Sequence, residues 1–183
     1  MASVPFDQMQ GVIWLNGSLV DWQDAKIHIL SHGLHYVVSV FDGERAYGGK
    51  IFNSRQHSER FLKSAEYLDF EIPYTVDELI EAKQLVVDKN GFKNCYVRPV
   101  AWRGSEMMAV AAQMAKIHTA IAVWDWPSMF DINTKMKGIK LDIAEYRRPD
   151  PATAPSHSKA AGLNVICTSS KHKAERQGYA DAM

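Results

Sequence analysis

The sequence predicts an α+β fold with an N-terminal domain over residues 1–128 and the start of a second over 129–183. Three observations carry this. An Asn16-Gly17 hairpin opens the chain, the apolar period turns helical between Ser54 and Gly91, and strand patterns return afterwards. A new element then opens at Lys159.

The elements follow in order. "GVIWLNGSLVDW" reads as a β-hairpin, because two apolar runs flank Asn16-Gly17, a dipeptide suited to positive φ. A loop or short helix is expected near Ser31–Tyr36. Strands follow around Ser39–Tyr47 and Lys50–Phe52, joined at Gly48-Gly49. In "SRQHSERFLKSAEYLDF", Phe61, Leu62, Ala65 and Leu68 fall at helical spacing, and Ser54 is the expected N-cap. Thr75 and Glu78 match a capping box opening a second helix, which Gly91 ends. "NCYVRPVAW" and "KIHTAIAVWDW" read as strands, the latter ended by Pro127, with "GSEMMAVAAQMA" a loop or short helix between them. The domain boundary is expected near Trp126–Ile132. "GIKLDIAEYRR" reads as another strand, "PDPATAP" as a Pro-rich connection, and the segment after Lys159 as a helix ending near Gly178. Residues 129–183 fall below the size that usually folds well alone.

Composition narrows the function. Basic and acidic residues balance, 21 against 21, which gives no bulk field for nucleic acid or an anionic membrane. Cys95 and Cys167 have no C-x-x-C spacing, so neither a zinc site nor a disulfide framework is expected, and a reducing cytoplasm is the simplest location. "MASVPFDQMQ" lacks the pattern of a secretory signal, and no apolar run is long enough to span a bilayer.

Several residues are able to carry chemistry. A lysine amine is nucleophilic only when deprotonated, and burial or a nearby cation favours that form. Lys159 is followed by Ala160, Ala161 and Gly162, small residues that permit close approach of a planar ligand, which is consistent with a Schiff base to a carbonyl cofactor. It is equally one of 13 lysines, and a solvated lysine at a helix start is the alternative. Arg60 on the first long helix suits a phosphate, or simply faces solvent. Tyr96 and Arg98 share one face of a strand, where they either hold a carboxylate or form a polar sheet face. His32 and His35 lack a third ligand at metal-site spacing, so structural roles are expected and no metal. "GERAYGG" is not a phosphate-binding glycine motif.

Four segments together carry a family resemblance: "IWLNGSLVDWQDAKIHILSHGLHYVVSVFDGERAY", "RQHSERFLKSAEYLDFEIPY", "CYVRPVAWRGSEMM" and "SKAAGLNVICTSSKHKAERQGYADA". The chain resembles the branched-chain amino acid aminotransferases, pyridoxal-phosphate enzymes of fold type IV, along essentially its whole length. The resemblance implies that residues 1–128 are the small domain of such an enzyme and 129–183 the incomplete start of its larger one. It implies that Lys159 forms the Schiff base with pyridoxal 5'-phosphate and shuttles the proton between the substrate α-carbon and cofactor C4′. Arg60 would bind the cofactor phosphate. Tyr36, Phe41, Gly43, Arg45, Tyr96 and Arg98 would line the substrate pocket, with Tyr36 and Phe41 against a branched side chain. Arg98 and Tyr96 would receive the second carboxylate of glutamate. A homo-oligomer, dimer or higher, moving the amino group between leucine, isoleucine or valine and 2-oxoglutarate is expected.

The chain departs from the family pattern at four places. Asp42 and Gln56 stand where glutamates are usual, and Met129 in the substrate pocket and Asn164 at the cofactor ring stand where tyrosines are usual. Family members are much longer. The remainder is expected to carry the acidic partner of the pyridine nitrogen, further phosphate ligands and the loop for the α-carboxylate. A truncated transaminase, weakly active or inactive as it stands, is therefore expected. A D-amino-acid aminotransferase, an aminodeoxychorismate lyase and a non-catalytic interaction module are the alternatives.

Overall fold

The Asn16-Gly17 turn forms with both residues at positive φ, 49° and 96°, and closes a hairpin of β1 (Val12–Leu15) and β2 (Ser18–Asp21) in register Leu15↔Ser18. This hairpin starts a seven-stranded antiparallel sheet in a computed structural model that describes residues 4–128 and 130–183. A short helix α1 (His32–His35) precedes β3 (Ser39–Phe41), β4 (Glu44–Tyr47) and β5 (Lys50–Ile51). Helices α2 (Ser54–Glu66) and α3 (Val76–Lys89) follow, then the long strands β6 (Cys95–Arg103) and β7 (Ile117–Trp124). The sheet order is β2-β1-β7-β6-β4-β5, with β3 also pairing β6. "GSEMMAVAAQMA" contains no helix.

Strand β6 alternates strictly. Cys95, Val97, Pro99, Ala101 and Arg103 are buried, while Tyr96, Arg98, Val100 and Trp102 are half-exposed. The buried side faces α2 and α3. One core cluster joins Ala82, Val86 and Val87 to Cys95, Val97, Ile121 and Val123; another joins Phe61, Ala65 and Leu79 to Val40 and Ala101. Full burial of a side chain such as Phe61 contributes about 1.5–3 kcal/mol.

The break between β3 and β4 positions the site. A strand residue points its N–H and C=O to the same side, so Pro99 lacks a donor on the side where Asp42 N–H reaches its carbonyl at 3.0 Å. The ladder therefore lapses at Asp42-Gly43, leaving β3 paired with Val100–Trp102 and β4 with Cys95–Val97.

The capping box at Thr75 and Glu78 is present in both directions, and Gly91 takes the left-handed conformation (φ 71°) after α3. Ser54 is not the cap of α2. It is the first helical residue, and Asn53 precedes it at φ 50° without a side-chain capping bond. Asparagine tolerates that conformation better than serine, so the tight turn out of β5 sets the helix start.

Beyond β7 the chain forms α4 (Ile132–Lys137), which the sequence reading missed, capped by Asp131 through Asn133 N–H and Thr134 N–H. The expected strand over "GIKLDIAEYRR" shrinks to β8 (Leu141–Asp142), because its one strand neighbour among the described residues is β9 (Asp181–Ala182). The two are parallel, and a single 3-10 turn at Ala161–Asn164 plus α5 (Val165–Arg176) makes the crossover between them. The turn, not regular helix, directly follows the Lys159 segment. No helix among the described residues is long and apolar enough to cross a membrane.

Candidate active site

Lys159 is held by its backbone. Its N–H donates to Ser64 Oγ on α2 at 3.0 Å, and its carbonyl accepts from Phe41 N–H on β3 at 3.2 Å. Val40 and Ala160 form an isolated antiparallel bridge beside it. The preceding Ser158 hydroxyl donates to the Ser64 carbonyl at 2.8 Å. Arg148 grips the same turn, its Nε donating to the Ser156 carbonyl at 2.9 Å and its Nη2 to the carbonyls of Ser156 and Ser158. These contacts dock the lysine segment onto β3 and α2.

The side chain then points into chemistry. Lys159 Nζ lies 4.7 Å from the Phe41 ring centre, and the Arg98 guanidinium carbon lies 4.5 Å from it. Burial pushes the Lys159 amine below its ordinary value of 10.5. The charges of Arg60, Arg98 and Arg148 push the same way, while Asp42 opposes them. A cavity of about 210 Å³ is lined by Lys159, Arg60, Arg148 and Asn164 among others. A lysine amine that loses its proton more readily than usual, in one cavity with a guanidinium, suits a ligand that carries both an aldehyde and a phosphate.

Arg60 is engaged with Asp42 in a bidentate pair, Nε–Oδ2 at 2.8 Å and Nη2–Oδ1 at 2.7 Å. Its Nη1 makes no hydrogen bond among the described residues, which leaves a donor for an incoming anion. Asp42 is fully buried and also meets His57 Nδ1 at 3.0 Å and Gly43 N–H at 2.7 Å. Burial alone would raise its carboxyl. The Arg60 and Gly43 hydrogen bonds, the Arg60 charge and His57 more than offset this, holding it below 3.8.

Tyr96 and Arg98 share a face as the strand period requires, and Arg98 Nη2 donates to Tyr96 Oη at 3.0 Å. Arg98 Nε is buried without a partner among the described residues, an unmet donor beside Phe41. Gly43 makes room for Tyr96, since a Cβ there would stand 2.0 Å from the phenol oxygen. The other expected residues are placed differently. Arg45 donates to the Trp126 carbonyl at 2.7 Å. Tyr36 stacks on His32, ring centres 4.5 Å apart. Asn164 lines the cavity, yet its amide donates to the Ala160 carbonyl at 3.0 Å. Met129 lies outside the described residues. His32 and His35 reach separate backbone carbonyls, those of Ala109 and Ile29. No group of three metal-ligating side chains exists among the described residues.

Sequence reasoning missed Ser64, His57, Arg148 and the pairing role of Asp42. One signal was available: His57 and Arg60, three apart on α2, necessarily share a face.

Known proteins resemble the chain over most of its length. Residues 39–183 match the model of the amino-transferase class IV family. A probable branched-chain-amino-acid aminotransferase of Rickettsia felis is 40% identical over the whole chain, which spans 62% of that relative's length. A T.th. branched-chain amino acid aminotransferase, solved with pyridoxamine 5'-phosphate, superposes with a TM-score of 0.90 at 35% identity, covering 96% of this chain and 59% of that one. The Escherichia coli enzyme gives 0.90 at 32% identity, covering 95% and 59%. The chain thus carries the fold of part of these fold type IV structures and belongs to the class IV aminotransferases.

Proposed function

We propose that the chain provides the lysine-bearing part of a pyridoxal-phosphate transaminase that moves the amino group between branched-chain L-amino acids and 2-oxoglutarate. The observation that carries this reading is that Lys159, its amine pushed below its ordinary value by burial, shares one cavity with Arg60. Lys159 would hold the cofactor aldehyde covalently, and its amine would carry the proton at the substrate α-carbon. Arg60, braced by Asp42 and His57, holds the phosphate through its remaining donors. Asn164, which lines the same cavity from the turn after Lys159, would stand beside the cofactor. Pyridoxal phosphate, when bound, supplies the electron sink for the α-carbon's electron pair, and the protein supplies orientation and proton transfer.

Phe41 gives the substrate pocket an apolar wall beside Arg98. Arg98, with its unmet buried Nε and its bond to Tyr96, receives the second carboxylate of glutamate. The exposed apolar group of Ile27, Ile29, Leu34 and Val37 suits self-association into a dimer or higher oligomer. Two unpaired thiols suit a cytoplasmic location. The division into units 1–128 and 129–183 belongs to the same reading.

Half-reactions test the substrate. The cofactor-loaded chain is mixed separately with L-leucine, D-alanine and aminodeoxychorismate, and formation of the aminated cofactor is followed by absorbance. A response to L-leucine, reversed by 2-oxoglutarate and weak in a chain that spans 62% of its relative's length, is expected. A response to D-alanine alone, or breakdown of aminodeoxychorismate, would transfer the assignment to the corresponding enzyme class.

A further inference from the structure

A buried ion pair under α2 has no part in the chemistry above. The side chains of Lys83 (α3) and Glu44 (β4) are 1% and 0% exposed. Lys83 Nζ donates to Glu44 Oε1 at 2.7 Å, Ser58 Oγ at 2.7 Å and the Ser54 carbonyl at 3.2 Å. All three ammonium hydrogens are therefore used. Removing two charges from water is costly, and an apolar pair of similar volume usually serves stability as well or better. Burial pushes Glu44 up and Lys83 down, and each charge pulls the other back. The Ser54 hydroxyl favours the Glu44 carboxylate, yet it and Glu44 Oε2 make no well-formed hydrogen bond among the described residues. This is an expensive arrangement for simple core filling.

What the pair grips is the first turn of α2. That helix starts without a side-chain cap, and α3 holds its Ser54 carbonyl and Ser58 hydroxyl instead. His57 and Arg60 stand on the adjoining face and both reach Asp42. Asp42 and Glu44 flank Gly43 at the start of β4, so one carboxylate receives Arg60 while the other fixes α2 through Lys83.

We infer that Glu44, Lys83 and Ser58 are positioning residues that set α2 against β4 and thereby aim Arg60 at the cofactor phosphate. This rests on the function proposed above. Without the grip, α2 keeps its apolar contacts through Phe61 and Ala65 and its hydrogen bonds to Asp42 and the Lys159 segment, but its first turn loses its polar contact with α3.

Pyridoxal 5'-phosphate and pyridoxal separate the two ideas. Both condense with the Lys159 amine with loss of water. Pyridoxal also closes on its own 5'-hydroxyl as a hemiacetal, so the change in the ratio of apparent affinities between the native 183-residue chain and a variant, not the ratio itself, reads the phosphate contact. Arg60→Met is expected to lower the preference for the phosphorylated aldehyde. If Arg60→Met leaves the native ratio unchanged, the phosphate reading of Arg60 fails and takes this inference with it.

With the preference established, the double variant Glu44→Gln/Lys83→Met removes both charges at nearly constant volume. It is predicted to lower the ratio about tenfold, the scale of one charge-assisted hydrogen bond, while attachment of pyridoxal stays near native. A native ratio in the double variant overturns the inference. So does an equal loss for both aldehydes, which marks a general structural role. Ser58→Ala keeps both charges and decides the matter if the double variant does not fold: a lowered ratio supports the positioning role, and an unchanged one removes it.

Discussion

Replacing Gly43 by alanine drives a methyl group into the phenol of Tyr96. The added Cβ would stand 2.0 Å from Tyr96 Oη and 2.8 Å from Cζ, so something must move. Gly43 is not at positive φ, and the penalty is therefore steric. Tyr96 has little freedom to yield. Its ring packs 4.9 Å from Trp124 and 4.8 Å from Trp126, and its hydroxyl accepts from Arg98 at 3.0 Å. Displacing the phenol loses that hydrogen bond, about 1 kcal/mol, and adds overpacking of about 1–3 kcal/mol. A destabilisation of roughly 2–4 kcal/mol follows from those two costs, read as a lower midpoint in urea at unchanged slope. The same substitution in a Tyr96→Ala background should cost almost nothing, because the obstructing ring is gone. A Gly43→Ala cost below about 0.5 kcal/mol, or an equal cost in both backgrounds, would refute the close-packing argument.

Three further outcomes are expected. Val37 sits at φ 56°, a conformation costly for a β-branched residue, so Val37→Gly should stabilise the chain by about 1 kcal/mol in thermal unfolding. Attachment of pyridoxal to Lys159 should begin at lower pH than for a free lysine, because the amine loses its proton more readily. Asp42→Asn should move that onset lower still, since Asp42 is the charge that favours the protonated amine. Finally, Asp42 has a folded-state pKa below 3.8, so its contribution to stability is full above 3.8 and is lost as pH falls through the folded value. The acid limb of a stability–pH curve should be flatter in Asp42→Asn than in the native chain.

The parts of the fold governed by local chemistry were readable in the sequence. Asn16-Gly17, the Thr75/Glu78 box and the alternation of β6 each depend on neighbours a few residues apart, and each appears as expected. The start of α2 was not readable, because Asn53 rather than Ser54 takes the left-handed turn leaving β5. Helix α4 is short and hidden between a proline and a glycine, with Asp131 its sole clear signal. The strand expected over "GIKLDIAEYRR" depended on a partner that only Asp181–Ala182 provides.

At the site, Tyr96 and Arg98 share a face because strands have a period of two, which a sequence displays directly. Lys159 and Arg60 were distinguished by family resemblance, and the fold brings both to one cavity. The role of Asp42 was invisible, because its pairing with Arg60 depends on a ladder break opposite Pro99. Arg148 was likewise missed, since its guanidinium acts on backbone carbonyls across a proline-containing turn.

The central claim is that Lys159 is the covalent anchor. Its most direct test is to incubate the 183-residue chain with pyridoxal 5'-phosphate, reduce the adduct with borohydride and map the label by peptide mass. The label is expected on the peptide containing Lys159 and absent from Lys159→Ala, whose unfolding transition stays near native. A label spread over other lysines, or one that persists in Lys159→Ala, would contradict it.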